Sequence, residues 1–398
     1  MINEVLNSLC ALPHRYSTSA NEHRAAEYLR HKLDDLEIDA QLVPFVAPTT
    51  FSWIYLILYL GFLISVVTGI QHPVVALAIA LFFAVLFYGE QTTRFSPLSQ
   101  WVPEGLSHNV IGKIPGRNNP RNTLILCAHY DTSKTALIFH PGFVAGLRRA
   151  FFISLIMIGL IIVGNAARIA VTGQALRIIN WAMAVPGVYM GVMCLGMIER
   201  EARGVPVNGA ADNASGVATV MELAKRVKEK GGLSGWDVTV LLTGSEEVGL
   251  AGMSHFMREN GKRLDPAATA FINFDNMGGG KLTVVREEGM LKGLPADPEL
   301  LRTAEGLIAS DPRFADIDIR AFRALTLDSL VPNARGHRVL SLMGLNKAGV
   351  PTPWHWHNDT LEHLDKDMVR LAAEFGWELV NRLETGGNAE DGPREKPL

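Results

Sequence analysis

The sequence predicts an α/β domain with a mostly parallel sheet covered by helices on both faces, interrupted by two hydrophobic transmembrane hairpins. Three observations carry this reading. Short β-rich runs alternate with helical patterns along the polar part of the chain, as a parallel sheet requires. Ionisable residues fall repeatedly just after those runs. The apolar content is also uneven. The 398 residues are 48% hydrophobic and 19% charged, with mean hydropathy +0.16, against about 25% charge in ordinary soluble domains. With 37 basic and 40 acidic residues and net charge −3, nothing suggests a nucleic-acid surface, and no nucleic-acid partner is expected. Cys10, Cys127 and Cys194 are too few for a disulfide framework and read as reduced thiols.

Taken in order, Met1–Leu42 shows no secretory signal and reads as a soluble amphipathic helix pair. Within Asn21–Leu36, Ala25, Ala26, Leu29 and Leu33 recur at helical spacing. From Phe51 through Gly89 there is no Asp, Glu, Lys or Arg. A spanning helix needs about 17–25 apolar residues. Ser52–Ile70, the turn Gln71-His72-Pro73 and the run to Tyr88 therefore form the first hairpin. Asn109–Ile114 and Thr123–Ala128 read as strands. A second apolar block, Phe151–Val163 continuing to Val171 and then Trp181–Ile198, forms the second hairpin, with Arg168 and Arg177 between its halves. Helices that lie along the interface or in a core are the alternative for this block. Val217–Lys230 is helical, Asp237–Thr243 is a strand, and Gly249–Gly261 is helical. Ala270–Phe274 and Lys281–Val285 are strands, and Met368–Leu383 is a closing amphipathic helix.

This divides the chain into an N-terminal helical part (1–50), hairpin one (51–89), a first catalytic part (90–149), hairpin two (150–198), a second catalytic part (199–385) and a disordered polar tail (386–398). Four crossings leave every polar segment on one side of the bilayer. Near the spans that side carries Lys32, Arg94, Lys134, Arg148, Arg149, Arg200 and Arg203, against Arg168 and Arg177 opposite. The positive-inside rule then places the polar domain in the cytoplasm.

Thr123–Ala128 ends at His129-Tyr130-Asp131, Asp237–Thr243 at Gly244-Ser245-Glu246-Glu247, and Ala270–Phe274 at Asp275. In open α/β sheets the carboxyl ends of strands are where sites are built. Asp212 opens a helix in Asp212-Asn213-Ala214-Ser215-Gly216. His355 and His357 lie in the late loop Trp354–Thr360. Each has an ordinary explanation: Asp212 as a helix N-cap, the glutamates as a solvated turn, Asp275 as turn chemistry, the histidines as aromatic-packed loop residues. Together they form one inventory. Imidazole and carboxylate are what zinc binds. Two ions need a bridging carboxylate, and five ligands with one shared leave one carboxylate over as a base.

The order His-x-Asp, Asp-Asn-Ala-Ser-Gly, Glu-Glu, Asp, then a His four residues before Asp-Thr resembles the di-zinc aminopeptidase family, which also contains the glutaminyl cyclases. The resemblance covers His129–Asp131, Asp212–Gly216, Glu246–Glu247, Asp275, His355–Thr360 and helix Asn21–Leu36. It implies a mixed sheet of about eight strands between helices, of zinc-exopeptidase type. It implies two Zn2+ per chain, held by His129 and Asp275 on one side and Glu247 and His355 on the other, with Asp212 bridging. Asp131 orients His129, and Glu246 is the general base. His355 is preferred to His357 because it keeps the family's spacing to Asp359. The implied reaction is removal of N-terminal residues from a peptide, the second zinc helping to hold the substrate's free α-amine.

The 82 residues 130–211 replace a short connection in soluble members, and the second hairpin fills that gap. Both hairpins are expected to emerge close to the active-site face and to favour membrane-proximal or hydrophobic peptides. Asp328 and His337 are possible pocket residues. Two other readings remain at this point: a glutaminyl-cyclase-like single-zinc acyltransferase, suggested by Pro353-Trp354-His355, and a non-catalytic membrane receptor or scaffold, which would have lost ligands that are all present here. A transporter lacks paired charges along the spans. Oligomeric state is not encoded legibly.

Overall fold

The computed structural model describes residues 1–92 and 96–386. Arg94 and the tail beyond Gly386 lie outside the described residues. In chain order the elements are α1 (Ile2–Cys10), α2 (Ala20–Asp35), β1 (Asp39–Pro48), α3 (Ser52–Thr68), α4 (Pro73–Thr92), β2 (Glu104–Ile114), β3 (Arg117–His129), α5 (Leu147–Ala170), α6 (Gly173–Ala182), α7 (Ala184–Arg203), α8 (Ser215–Glu229), β4 (Ser234–Thr243), α9 (Ala251–Asn260), β5 (Thr269–Asp275), β6 (Lys281–Glu288), β7 (Leu294–Pro295), α10 (Pro298–Ser310), β8 (Asp318–Phe322), α11 (Leu330–Asn333), β9 (Arg338–Leu345) and α12 (Lys366–Gly386).

One sheet of nine strands runs β1-β2-β4-β3-β5-β9-β6-β7, with β8 beside β6. Its centre, β4-β3-β5-β9, is parallel, and antiparallel pairs flank it on both sides. The sheet is therefore mixed with a parallel core, as the sequence leads one to expect. Parallel strands buried on both faces read as continuous apolar runs, and every residue of β5 is buried. The main core joins the inner faces of α1, α2, α8 and α12 to the strands. Amphipathic α8 presents Val217, Val220, Leu223 and Val227 to it.

Parts of the α/β domain differ from expectation. The second half of Met1–Leu42 is not all helix: α2 ends at Asp35, and the chain enters edge strand β1, which pairs with β2 from Asp39 to Pro48. Residues 325–349, to which the sequence pattern assigns no element, contain β9, which is buried from Val339 to Leu345.

The apolar helices pack into a second core of their own, with Leu58, Phe62, Ile161 and Met190 at its centre. Among the described residues three segments, Pro73–Thr92, Val144–Ala170 and Gly173–Arg203, are long and apolar enough to cross a membrane. Ser52–Thr68, expected as a fourth span, is a shorter apolar helix of 17 residues. The second block also departs from a plain hairpin, because α6 intervenes between α5 and α7. The outward faces are apolar: Val67, Val85, Val163, Val188 and Leu195 are each more than half exposed. An apolar surface of this extent marks an interaction with lipid or another apolar phase. Arg168 is buried inside the bundle, donating to the Val66 carbonyl (2.9 Å), Asn165 Oδ1 (2.9 Å) and Asn180 Oδ1 (2.9 Å). It closes the last turn of α3, whose carbonyls otherwise lack partners. Arg200, also buried, ties α7 to the start of α3 through Thr50 Oγ1 (2.9 Å) and Ser52 Oγ (3.0 Å), with Phe51 stacked 4.0 Å from the guanidinium carbon. All three cysteines are free thiols.

At the far edge of the domain, Glu384 of α12 accepts from Ser234 N–H (2.7 Å), Arg117 (3.2 Å) and Lys230. Burial alone would raise its carboxyl, but Lys230 and the Ser234 amide hold it below the usual range. A depressed carboxylate stabilises the fold above its unfolded value, near pH 4.3, and that contribution is lost as pH falls through the folded value. Glu384→Gln is expected to cost about 1–3 kcal/mol at neutral pH. The gap from wild type should close as acid protonates Glu384, which unfolding at stepped pH would show.

Candidate metal centre

The parallel registry aligns the strand ends. His129 at the end of β3 pairs with Thr243 at the end of β4. On the other side Cys127 pairs with Asn273 of β5, two residues before Asp275. The turns after three adjacent strands therefore deliver His129, Glu246 and Glu247, and Asp275 to one place. The loop after β9 adds His355. Asp212 comes from the non-helical segment just before α8.

That segment is held by a set of local bonds. The Ala211 and Asp212 amides donate to Asp359 (2.6 and 3.1 Å). Asn213 Nδ2 donates to the Phe274 carbonyl (2.9 Å), and its Oδ1 accepts from Gly216 (2.9 Å) and Asn276 (3.1 Å). A side chain at Gly216 would meet the Phe274 carbonyl at 2.3 Å, so only glycine fits there. The Asp-Asn-Ala-Ser-Gly motif is thus a clip between α8 and the end of β5. Asp131, fully buried, accepts from the Glu246 and Glu247 amides (2.9 and 3.2 Å) and lies 3.4 Å from His129 Nδ1.

All seven sequence-identified residues, His129, Asp131, Asp212, Glu246, Glu247, Asp275 and His355, converge and are buried. Asp212 turns Oδ1 to His129 Nε2 (3.1 Å) and Oδ2 to His355 Nε2 (2.9 Å). Asp275 lies 3.7 Å from His129 Nε2, and Glu247 lies 3.0 Å from His355 Nε2. Glu246 Oε2 is 4.0 Å from His129 Nε2. His357 is exposed and outside the cluster. Asp328 is buried beside the site, accepting from Thr243 Oγ1. His337 is not a pocket residue. It precedes β9, whose first residue pairs with Ala270 at the start of β5, so it lies at the amino end of the strands, its ring 5.5 Å from Phe271.

The donor set fits zinc. Ligands 2.0–2.1 Å from a tetrahedral ion stand about 3.3 Å apart, and the separations of 2.9 to 3.7 Å from the two histidines to Asp212, Asp275 and Glu247 bracket that value. His129, Glu246 and Asp275 form one candidate group, and His129, Asp212 and Glu247 another. The electrostatics point the same way. Burial pushes Glu246, Glu247 and Asp275 above the carboxylate range. Burial would lower His129 and His355, but the surrounding carboxylates hold His129 well above its usual value and His355 at about 9. A buried cluster so rich in carboxylate requires cationic charge.

Two supporting residues escape sequence reasoning. Glu22 of α2 is buried, accepting from Ser107 Oγ (2.8 Å), Ser245 N–H (3.0 Å) and Thr18 N–H (2.6 Å). It fixes the turn at Ser245, whose φ is 53°, just before the glutamates. Burial and the Asp131 charge push its carboxyl to about 8. Arg15, also buried, donates to carbonyls on both the His129 and the Asp212 sides of the site. The cluster opens into a cavity of about 210 Å³, lined on the domain side by Phe139, Leu250, Phe322, Thr326, Met343 and Trp354.

A parallel-centred sheet with imidazole and carboxylate gathered at its strand ends is a setting for zinc chemistry. Residues 194–380 match the model of peptidase family M28, in keeping with the zinc aminopeptidase and glutaminyl cyclase family that the motifs resemble. No curated protein matches the chain. Among solved structures, a glutaminyl cyclase from an Acidobacteriales bacterium aligns with TM-score 0.58 at 13% identity over 97% of this chain and 94% of that one. BSAP, a zinc aminopeptidase from Bacillus subtilis, aligns at 0.55 and 13% over 96% and 94%. A Zn-dependent exopeptidase from Parabacteroides distasonis aligns at 0.53 and 14% over 95% and 96%. At these identities the likeness establishes the fold.

Proposed function

We propose that the protein is a membrane-anchored aminopeptidase that uses two zinc ions. The observation that supports this best is Asp212, whose two oxygens face different histidines, each with its own further carboxylate. His129 and Asp275 would hold one ion, Glu247 and His355 the other, and Asp212 both. The ions, when bound, acidify water and polarise the substrate carbonyl. Asp131 fixes the ring of His129. Glu246, left over from the ligand set, takes a proton from the attacking water on its carboxylate and returns it to the leaving amine. Buried walls keep bulk water from the reacting bond.

The catalytic domain would comprise 1–50, 90–149 and 199–385, with 51–89 and 150–198 as membrane insertions. Exposed Arg148, Arg149 and Arg203 flank the bundle on the domain side, against exposed Arg177 opposite. This bias favours a cytoplasmic domain even without the buried Arg168 and Arg200.

The test is metal content on detergent-purified protein equilibrated with trace zinc and desalted. About two zincs per chain are expected, falling to one or none in Asp212→Asn, with hydrolysis of free-amine peptides and not of N-blocked ones. One zinc in wild type, with cyclisation of N-terminal glutamine, would replace this reading with the cyclase one.

A further inference from the structure

The cavity at the ligand cluster does not stop at the α/β domain. Its wall continues through Phe51 into the apolar bundle, along Tyr55 and Tyr59 of α3, Phe87 of α4, Phe151 of α5, and Met193 and Met197 of α7. Tyr59 lies seven residues into α3 from Ser52, and Met193 ten residues before the end of α7 at Arg203. At 1.5 Å per residue, the cavity reaches about 10–15 Å into the bundle. That depth exceeds what a natural side chain fills.

Two features decide what fits there. The wall inside the bundle is mostly apolar, and two of its polar side chains already have partners: Gln91 Nε2 donates to Tyr55 Oη (2.9 Å), and Ser154 Oγ bonds Tyr189 Oη (2.7 Å) and the Ala150 carbonyl (3.1 Å). A peptide backbone inserted here would leave its N–H and C=O groups unpaired, which is costly. A hydrocarbon chain has no such groups. In addition, an aminopeptidase substrate has one residue on the amine side of the scissile bond and a polymer on the other, and the polymer must leave toward water. The bundle end of the cavity therefore takes the first residue.

Resting on the aminopeptidase reading, we propose that the substrate is a peptide whose N-terminal residue carries a long hydrocarbon chain, seated between α3, α4, α5 and α7. A C–C bond of about 1.5 Å at a near-tetrahedral angle advances about 1.25 Å, so this reach holds about 8–12 carbons. In the reaction the water oxygen joins the carbonyl carbon, the C–N bond breaks, and the amine leaves with the proton.

The test uses zinc-loaded full-length protein in nanodiscs and 2-aminoalkanoyl anilides with linear side chains of 2 to 12 carbons. Met193→Trp fills the deep end and Met193→Ala enlarges it. Neither touches the ligand cluster. Comparing variants at each chain length cancels partitioning into lipid. The ratio of wild-type to Met193→Trp kcat/KM is expected to rise at least tenfold between 2–4 and 10–12 carbons. Met193→Ala should shift the preferred length upward, an effect that misfolding does not produce. Binding of the free 2-aminoalkanoic acids to the same variants should show the same length dependence without turnover. A ratio independent of chain length in both binding and hydrolysis overturns the proposal. Absence of hydrolysis at every length, with length-dependent binding intact, would instead overturn the aminopeptidase reading and leave the chain pocket standing.

Discussion

Glu246→Gln is expected to lower kcat by about 10²–10⁴-fold, the usual value of a positioned general base, while the protein keeps its full zinc content. Glutamine preserves the shape of the side chain and removes its ability to take a proton. The proposed ligand set of His129, Asp212, Glu247, Asp275 and His355 is untouched. KM should change little, because the lost interaction is with the proton in flight and not with the bound ground state. Glu246 is suited to the task. Burial, reinforced by Glu247, Asp328 and Asp275 and opposed by His129, raises its proton affinity above that of an ordinary carboxylate, the direction a proton-accepting base needs. The same experiment discriminates the competing arrangement, in which Glu246 joins His129 and Asp275 as a ligand. In that case Glu246→Gln would lose about one zinc per chain along with activity. Zinc analysis and initial rates on one preparation separate the two.

Chemistry at strand ends is legible because two signals coincide. An apolar run such as Thr123–Ala128 marks a buried strand, and the ionisable residues that follow it sit where open α/β sheets build sites, although each alone has an ordinary explanation. His129, Glu246, Glu247 and Asp275 are thus placed by their strands and gain weight only as a set, while His355 and Asp212 need the motif around them. Glu22 shows the opposite case. It lies three residues after Ser19, whose side chain accepts from the Glu22 amide, so the sequence is that of a helix capping box. Only the packing of α2 against β2 reveals that the carboxylate turns inward to hold Ser245. Strand β1 is similarly hidden, because an edge strand is half exposed and its pattern is shared by any amphipathic segment. The cavity that enters the bundle is assembled from four helices spread across residues 51–197, and no local pattern records their meeting. The apolar runs announce the helices clearly. Their boundaries shift, because Arg168 and Arg200, which read as flanking charges, are buried structural donors.

Arg15→Met should destabilise the fold by about 4 kcal/mol, the largest loss expected from a single side chain outside the ligand set. The Arg15 side chain lies between the two halves of the site. Nε donates to the Tyr130 carbonyl (2.7 Å), Nη1 to Leu9 (3.2 Å) and Asn208 (2.8 Å), and Nη2 to Gly209 (2.8 Å). Its own amide and carbonyl meet Thr132 Oγ1 and N–H (3.0 and 3.2 Å). One guanidinium thus joins α1, the loop after His129 and the loop before Asp212. Methionine fills much of the volume but leaves these carbonyls without their donor, and each unsatisfied buried group costs about 1–3 kcal/mol. Four carbonyls lose their donor, and relaxation around the smaller side chain holds the sum to about 4 kcal/mol. At roughly 2 °C per kcal/mol for a large domain, Tm in detergent should fall by about 8 °C. Arg15→Lys, which keeps the charge but not the fork that reaches several carbonyls at once, should fall between. A Met variant within 1–2 °C of wild type would show that the carbonyls find other partners. Zinc affinity offers an independent check, because Arg15 touches no ligand and acts only by fixing the segments that carry His129 and Asp212. At a temperature where the Met variant remains folded, zinc should bind more weakly to it, and the loss should be partly restored in the Lys variant.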